Sequence, residues 1–433
     1  MRCILVILDG LGDRSHPILN NQTPLQAAHT PHLDYLAQIG MNGLYHSYLQ
    51  GIPLSSEIAH FLIFGYDLEE FPGRGYLEAS GNGVEIDEKE VVLLCHFCSV
   101  REEADKSLIL IKECLDITES EMSTLKEAVN PYTTDEISIT FIPAQKSDGF
   151  LVLSGTVSPA ITDSNPIYEG RPLISVQPID DSLEAQKTAK ELNRYLCWVY
   201  QRLCVHPLNR NRQKKNLLPI NFLATQRAGK KRFLLPFYEK CGLLGLSISS
   251  GPIYWGLCKE LGIDVIKVRD SGDPERDLRE RLQLAYDARK HDFVHVHTKM
   301  ADQAAHTKDP HYKKEIIESL DRAMAFAVQD ILPDSETLLV VTADHATASV
   351  GTMIHTGETV PLTMVGKYPR RDKVTAFNEI DCAHGGLGIV KGNELIYLIL
   401  NFLDRAKMKG LMDTSADQPY YPGHYRILTI DGE

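Results

Sequence analysis

Acidic and imidazole side chains lie close together in the segment HTKMADQAAHTKD, residues 297–309. Asp302 and His306 are spaced i, i+4, so a helical turn would place both on one face, close enough to share an ion. Carboxylate and imidazole groups are ligands for divalent metals. The spacing therefore indicates one part of a metal site, and a solvated charged turn is the alternative.

Further candidate ligands follow predicted strands elsewhere in the chain. Asp9 follows the apolar run CILVIL, Asp344 and His345 follow the run TLLVV, and His355 lies ten residues after His345. The C-terminal ends of parallel strands meet at one edge of a sheet, where open α/β sheets place their ligands. We therefore expect these side chains to meet although they are far apart in the chain.

Together these segments supply carboxylate and imidazole groups in a number that suits two ions. The six side chains are Asp9, Asp302, His306, Asp344, His345 and His355. Mixed ligation of this kind favours Zn²⁺ or Mn²⁺ over Ca²⁺. Two such ions clamp the attacking and leaving oxygens of a phosphoryl transfer. Taken singly, Asp9 is also typical of a turn and His355 of a surface histidine, so the combination carries the prediction.

A nucleophile for such a centre is available in GIPLSSEIAHFLIFGYD, residues 51–67. Two serines precede an apolar run with helical spacing, and a helix N-terminus is a suitable place for a phosphate. A metal ion would lower the pKa of a serine hydroxyl and make it nucleophilic. The alternative is that Ser55 or Ser56 only caps the helix, and spacing does not separate these two interpretations.

The elements around these residues alternate between strand and helix. Strands are predicted at 243–248, 264–268, 292–298, 337–345 and 361–366, and helices at 276–289 and 313–332. Alternation of this kind predicts an α/β fold, with a mostly parallel sheet covered by helices on both faces. The segment from about 88 to 234 is richer in polar loops, which predicts a smaller inserted α+β domain. The predicted core is thus discontinuous, comprising residues 1–87 and 235–433.

Composition narrows the class of protein. The chain has 433 residues, a formal net charge of −13 and 43% hydrophobic residues. Acidic proteins of this size are poor non-specific nucleic-acid binders, so we expect no nucleic-acid partner. No apolar run reaches the length of a membrane span, so we expect no membrane partner. The nine cysteines lack framework spacing, which favours a reducing, cytoplasmic location.

Several motifs, in their order along the chain, resemble one enzyme family. They are VILDGLGDR, TPLQAAHTPHLDYLA, SSEIAHFLIFGYD, GRGYLEASGNGV, TDSNPIYEGRP, TQRAGK, DQAAH, ADHAT and HTGETVP. This combination resembles the alkaline phosphatase superfamily, and within it the archaeal-type cofactor-independent phosphoglycerate mutases. The resemblance covers most of the chain and implies an alkaline phosphatase-like core.

The resemblance also implies a role for individual residues. Asp302, His306 and His355 would hold one divalent ion, while Asp9, Asp344, His345 and Ser56 would hold the other. The ions would be Mn²⁺ or Zn²⁺, with Mg²⁺ as an alternative. His297 and Asp309 would be neighbours of the ligands.

Substrate handling is implied in the same way. Ser56 would attack the phosphate of a small metabolite, 3-phosphoglycerate, and form a phosphoserine, while the inserted domain holds the glycerate. Arg74, Arg227 and Lys299 would contact the anionic groups of the substrate.

The sequence departs from the family pattern where the substrate would bind. Leu94 stands in place of an arginine, His96 in place of an asparagine, and Trp255 in place of a lysine. These departures leave two interpretations, a mutase that interconverts 3- and 2-phosphoglycerate and a metal-dependent phosphohydrolase of the same superfamily. A sulfatase is disfavoured because the sequence around Ser56 lacks the C/S-x-P-x-R pattern.

Overall fold

The computed structural model describes residues 1–430 of the chain. In chain order its strands are β1 (Arg2–Leu8), β2 (Met41–His46), β3 (Val91–Glu102), β4 (Leu108–Lys112), β5 (Tyr132–Thr133), β6 (Ile137–Pro143), β7 (Asp148–Gly155), β8 (Phe222–Lys230), β9 (Gly245–Ser249), β10 (Asp264–Lys267), β11 (Phe293–Thr298), β12 (Thr337–Thr342), β13 (Val360–Val365) and β14 (Gly388–Lys391). Its α-helices are α1 (Pro24–Ala27), α2 (Pro31–Ile39), α3 (Ser56–Ile63), α4 (Arg74–Gly81), α5 (Glu119–Val129), α6 (Leu183–Cys204), α7 (Pro207–Lys214), α8 (Phe237–Cys241), α9 (Pro252–Glu260), α10 (Pro274–Asp287), α11 (Met300–His306), α12 (Pro310–Phe326) and α13 (Glu394–Phe402).

The larger compact unit, residues 1–71 with 234 onward, is built on an eight-stranded sheet. The strand order is β10-β9-β11-β1-β12-β13-β2-β14. Neighbouring strands pair in parallel except where β13 pairs with β12 and with β2. Every residue of β1, β11 and β12 is buried, so both faces of the sheet are covered. The predicted α/β fold with a mostly parallel sheet is confirmed.

The register of the central strands brings their C-terminal ends together. On one side of β1, Leu8 pairs with Thr298 of β11. On the other side, Ile7 pairs with Thr342 of β12. Asp9, Lys299 and the loop after β12 therefore leave the sheet at the same edge, where a parallel α/β sheet places its functional groups.

Two predicted boundaries differ from the structure. Strand β12 ends at Thr342 and not at residue 345, so Asp344 and His345 lie in the loop that follows it. Helix α12 begins at Pro310, because the carboxylate of Asp309 accepts hydrogen bonds from the backbone N–H groups of His311 and Tyr312. Asp309 thus caps a helix, which is what a short acidic side chain before a proline favours.

The smaller compact unit spans Pro72–Phe233. Its six strands form an antiparallel sheet in the order β4-β3-β7-β6-β5, with β8 also paired to β3. Apolar residues of α6, among them Leu192 and Val199, share a buried core with this sheet. The unit is therefore α+β. It begins at Pro72 rather than at residue 88, because α4 packs against β3 and β8.

Among residues 1–430, none of the helices combines the length and the apolar character that a membrane span requires.

Candidate active site

Asp9 is held in a fully buried position directly after β1. Its Oδ2 accepts hydrogen bonds from the Tyr254 hydroxyl at 3.1 Å and from Nε2 of His297 at 3.0 Å. Its Oδ1 has no hydrogen-bond partner among residues 1–430 and lies 3.4 Å from Nε2 of His345. The protein thus holds Oδ2 of Asp9 by two hydrogen bonds and leaves Oδ1 available to bind a cation.

Asp344 shows the same division between its two oxygens. Its Oδ1 accepts hydrogen bonds from the backbone N–H of Gly10 at 3.2 Å and of His345 at 3.0 Å. Its Oδ2 lacks a hydrogen-bond partner in the described part of the chain and lies 3.3 Å from Nε2 of His345. The free oxygens of two buried carboxylates therefore approach the same imidazole nitrogen.

Ser56 is the first residue of α3, and its side chain also faces His345. The Ser56 Oγ lies 2.9 Å from Nε2 of His345. Ser55 occupies the N-cap position, but its hydroxyl makes no hydrogen bond within residues 1–430. One turn later, Nδ1 of His60 donates to the Ser56 carbonyl oxygen at 2.8 Å, and the His60 ring is fully buried. The start of α3 thus aims Ser56 at the acidic cluster.

A second cluster surrounds Asp302 on α11. Asp302 Oδ2 lies 3.3 Å from Nε2 of His306, and Oδ1 lies 3.6 Å from Nε2 of His355. Nδ1 of His355 donates to the carbonyl oxygen of Leu54 at 2.6 Å, so its Nε2 carries the lone pair. Such a bond orients a metal-binding imidazole. The rings of His345 and His355 stack with centroids 3.9 Å apart, which joins the two clusters.

Within the described residues, two groups of three side chains offer ligand atoms that lie within 4.8 Å of one another. The first is Asp9, Asp344 and His345, and the second is Asp302, His345 and His355. His306 lies beside the second group through its contact with Asp302. All six side chains that were predicted from the sequence are therefore brought together, with His345 between the two groups.

The pKa values of the acidic and imidazole groups in the cluster are shifted from their usual values. Burial, together with the charges of Asp9 and Asp302, raises the pKa of Asp344 well above its usual value. Burial opposes the ionisation of Asp9 too, but the hydrogen bond from His297 holds its pKa well below the usual value. Burial lowers the pKa of His345 to about 4, so that ring is neutral at pH 7. Unpartnered buried carboxylate oxygens beside neutral imidazoles fit divalent cations.

Gly10 makes this close approach of three segments possible. Its φ of +67° is left-handed, and a Cβ on it would lie 2.7 Å from Cα and Cβ of Asp302 and 2.8 Å from Oγ1 of Thr347. A larger residue would thus push α11 and the loop after β12 away from β1.

The three predicted substrate residues lie in different parts of the chain. Lys299 follows β11, and its Nζ lies 4.8 Å from the ring centroid of Tyr254. In the smaller unit, Arg74 begins α4 and its Nε lies 2.9 Å from the Glu78 carboxylate. Arg227, on β8, has a left-handed φ of +56°, and its backbone N–H donates to Asp163 at 2.6 Å. That conformation is costly for a residue other than glycine.

The residues that depart from the family pattern have partners of their own. Trp255 donates from Nε1 to the carbonyl oxygen of Ser249 at 2.8 Å, and Lys267 lies over its ring at 4.6 Å. His96 is buried, and its Nε2 lies 3.8 Å from the carboxylate of Glu113. Leu94, on β3, is half-buried.

Three residues at the site were not identified from the sequence. His60 contacts Ser56, Tyr254 contacts Asp9, and Thr347 contacts Asp302. These contacts exist only in the folded chain. His60 carries one readable signal, because it lies one helical turn after Ser56. Tyr254 and Thr347 carry none, since a tyrosine or threonine in a short apolar segment is typical of any protein core.

Two family profiles match the chain. The profile described as 2,3-bisphosphoglycerate-independent phosphoglycerate mutase matches residues 37–209. The profile described as alkaline phosphatase matches residues 283–395, which include five of the six candidate ligands. Two separate segments, residues 37–209 and 283–395, thus each match a profile of this superfamily.

Curated relatives match over the full length. The 2,3-bisphosphoglycerate-independent phosphoglycerate mutase 2 of Methanocaldococcus jannaschii is 39% identical, with 100% of both chains covered. The mutase of Methanopyrus kandleri is 34% identical over 94% of this chain and 98% of that protein.

Solved structures agree with these relatives. A protein from Pyrococcus horikoshii superposes with a TM-score of 0.76 at 25% identity, covering 95% of this chain and 99% of the other. The cofactor-independent phosphoglycerate mutase of Thermoplasma acidophilum gives 0.62 at 29% identity, covering 93% and 99%. A relative that is more than 30% identical over its whole length shares the fold and the family. The chain therefore belongs to the 2,3-bisphosphoglycerate-independent phosphoglycerate mutase family, within the alkaline phosphatase superfamily.

Proposed function

We propose that this protein is a metal-dependent phosphoglycerate mutase that interconverts 3-phosphoglycerate and 2-phosphoglycerate, a step of glycolysis. The observation that carries the proposal is the Ser56 hydroxyl 2.9 Å from His345, beside unpartnered oxygens of Asp9 and Asp344, in a chain whose full-length relatives are named mutases. The relatives do not favour the phosphohydrolase alternative.

Two divalent ions are part of this proposal. Asp302, His306 and His355 would hold one ion, and Asp9, Asp344, His345 and Ser56 would hold the other. The mixed oxygen and nitrogen donors suit Mn²⁺ or Zn²⁺, and Mg²⁺ is a further candidate. When bound, such ions would lower the pKa of the serine hydroxyl and neutralise charge on the phosphate.

Ser56 would carry the phosphoryl group between the two positions of the substrate. A bond forms between Ser56 Oγ and phosphorus while the bond from phosphorus to the first substrate oxygen breaks. The neighbouring hydroxyl of the glycerate then attacks phosphorus, and the Ser56 hydroxyl is released. The hydrogen bond from His60 to the Ser56 carbonyl, at 2.8 Å, supports the fixed position of Oγ throughout.

Three basic residues complete the proposal. Lys299 would bind an anionic group of the substrate, because it follows the same strand edge as the candidate ligands. Arg74 and Arg227 are proposed for the same role, and the left-handed backbone of Arg227 supports a functional constraint on that residue. The free thiol state of all nine cysteines, each in the described part of the chain, supports a cytoplasmic location.

The test is to incubate the purified protein with Mn²⁺ and 3-phosphoglycerate and to follow all phosphorus-containing species by ³¹P NMR. The proposal expects 2-phosphoglycerate to accumulate until the two isomers reach equilibrium. Inorganic phosphate as the sole product would show a phosphohydrolase instead. Protein treated with a chelator is the matched control, and Mn²⁺, Zn²⁺ and Mg²⁺ added back separately identify the ion.

A further inference from the structure

Thr347 lies at the centre of the candidate site without belonging to either group of ligands. It is fully buried in the loop after β12. Its Oγ1 lies 2.7 Å from Oδ1 of Asp302 and 3.2 Å from Nδ1 of His345. A single hydroxyl therefore touches one residue of each proposed ion site.

The direction of these two hydrogen bonds follows from the chemistry of the groups. Ionised Asp302 only accepts hydrogen bonds, so the one hydroxyl proton of Thr347 points to Asp302. The oxygen of Thr347 then accepts from Nδ1–H of His345. This fixes the tautomer of His345 and leaves the lone pair of Nε2 facing Ser56, Asp9 and Asp344.

The backbone of Thr347 is held in place from behind. Its N–H donates to the carbonyl oxygen of Gly12 at 2.9 Å. Its carbonyl oxygen accepts from Nζ of Lys313 at 2.8 Å, and the same ammonium donates to Gly12 at 2.9 Å. Lys313 is fully buried and lies 3.2 Å from the Asp13 carboxylate, which supplies the countercharge. The hydroxyl of Thr347 is thus prepositioned before any ion binds.

We infer that Thr347 is a positioning residue shared by both ion sites, and that its hydroxyl couples the binding of one ion to the binding of the other. The inference rests on the proposed two-ion centre. A cation bound at Asp302 would polarise the chain of hydrogen bonds from Asp302 through Thr347 to His345, since hydrogen bonds in such chains strengthen one another. Groups that orient metal ligands typically change metal affinity by about 10- to 100-fold when they are removed.

The experiment measures the affinity and stoichiometry of Mn²⁺ by electron paramagnetic resonance and equilibrium dialysis, without substrate. Thr347→Val keeps the shape and removes the hydroxyl. We expect both Mn²⁺ sites to weaken by about 10-fold or more and to fill independently of each other. Thr347→Ser keeps the hydroxyl and should bind Mn²⁺ like the wild type. A Thr347→Val variant that binds both ions as the wild type does, or that loses only one, would overturn the inference.

Two controls separate coupling from a general loss of structure. Thr363→Val makes the same change at a fully buried threonine on β13 whose hydroxyl has no partner in the described chain, and Mn²⁺ binding should be unchanged. If the valine variant fails to fold, Thr347→Ala is compared with Thr347→Ser instead, because these two side chains differ only by the hydroxyl. A wild-type protein that binds fewer than two ions would overturn the proposed metal centre and the inference together. A wild type that binds two ions but lacks mutase activity would overturn the proposed reaction alone.

Discussion

The hydroxyl oxygen of Ser56 lies 2.9 Å from Nε2 of His345, although 289 positions of sequence separate the two residues. The contact joins the start of α3 to the loop after β12, beside the unpartnered oxygens of Asp9 and Asp344. This environment supports the proposed covalent role of Ser56, because a role as helix cap alone would not bring the residue to an imidazole and two acids.

Replacement of Ser56 by alanine should abolish turnover, because no other atom would take the phosphoryl group. We expect a fall of more than about a thousandfold in kcat, with the fold retained. Ser55→Ala is the matched control, since the hydroxyl of Ser55 makes no hydrogen bond in the part of the chain described. Turnover is measured by ³¹P NMR, and the phosphoserine by intact-protein mass spectrometry. Retained turnover in Ser56→Ala would exclude the covalent step.

Removal of metal should destabilise the protein as well as inactivate it. Ions that bind only the native state stabilise it by about 2.7 kcal/mol at a concentration 100 times Kd. Without them, the burial of Asp9 and Asp344 beside each other is not compensated by positive charge. The thermal midpoint should therefore rise with Mn²⁺ concentration in a titration of chelator-treated protein. A midpoint independent of Mn²⁺, Zn²⁺ and Mg²⁺ would contradict the prediction.

The hydroxyl of Tyr254 should matter through Asp9, to which it donates at 3.1 Å. Tyr254→Phe removes one of the two hydrogen-bond donors to Oδ2 of Asp9 and leaves only His297. We therefore expect metal affinity to fall by about 10-fold or more. Tyr45→Phe is the control, because Tyr45, on β2, is as buried as Tyr254 but donates to the carbonyl oxygen of Gly392. Equal effects of the two changes on Mn²⁺ binding would contradict a specific role for Tyr254.

Gly10→Ala should damage both stability and the metal centre. The new Cβ would lie 2.7 Å from Asp302, and the left-handed backbone would add strain. Together these effects should lower the free energy of unfolding by about 2–5 kcal/mol. Gly272→Ala has the same kind of φ, +91°, but its Cβ would meet no atom of the described chain within 4 Å. Denaturant unfolding should show a smaller loss there and unchanged Mn²⁺ affinity.

The acid stability of the core should depend on Asp270. The fully buried side chain of Arg281 donates to the Asp270 carboxylate and, at 2.6 Å, to the carbonyl oxygen of His297. Burial alone would raise the pKa of Asp270, but the hydrogen bond and charge of Arg281 lower it. The carboxylate therefore stabilises the native state above about pH 4, the range of an unfolded aspartate, and this stability is lost as the pH falls through the lower folded pKa.

Asp270→Asn tests that assignment. At pH 7 it leaves the Arg281 charge buried without its partner, which should cost roughly 3 kcal/mol or more. The difference from the wild type should shrink as the pH falls below about 4, because the unfolded aspartate then takes up a proton, and it should vanish below the lowered folded pKa, where the carboxyl is protonated in both states. Urea unfolding measured from pH 3 to pH 7 gives this comparison. A difference that stays constant over that range would contradict the assignment.

The sequence alone was sufficient to predict the type of fold and to identify the candidate ligands. Runs such as CILVIL and TLLVV are apolar without alternation, which only strands buried on both faces tolerate, and the acids that follow them mark the edge of a parallel sheet. Asp9, Asp344 and His345 could be found in this way because the signal for each residue is local. The family motifs added Ser56 and the order of the segments.

Tertiary structure alone decided which atoms meet. The hydrogen bonds from Thr347 to Asp302, from Tyr254 to Asp9 and from Arg281 to Asp270 join elements that no local pattern relates. It also decided that His345 belongs to both groups of candidate ligands. The reason is physical. Periodicity reports which face of an element is buried, but strand register and the packing of loops at the sheet edge determine distances, and these depend on the whole chain at once.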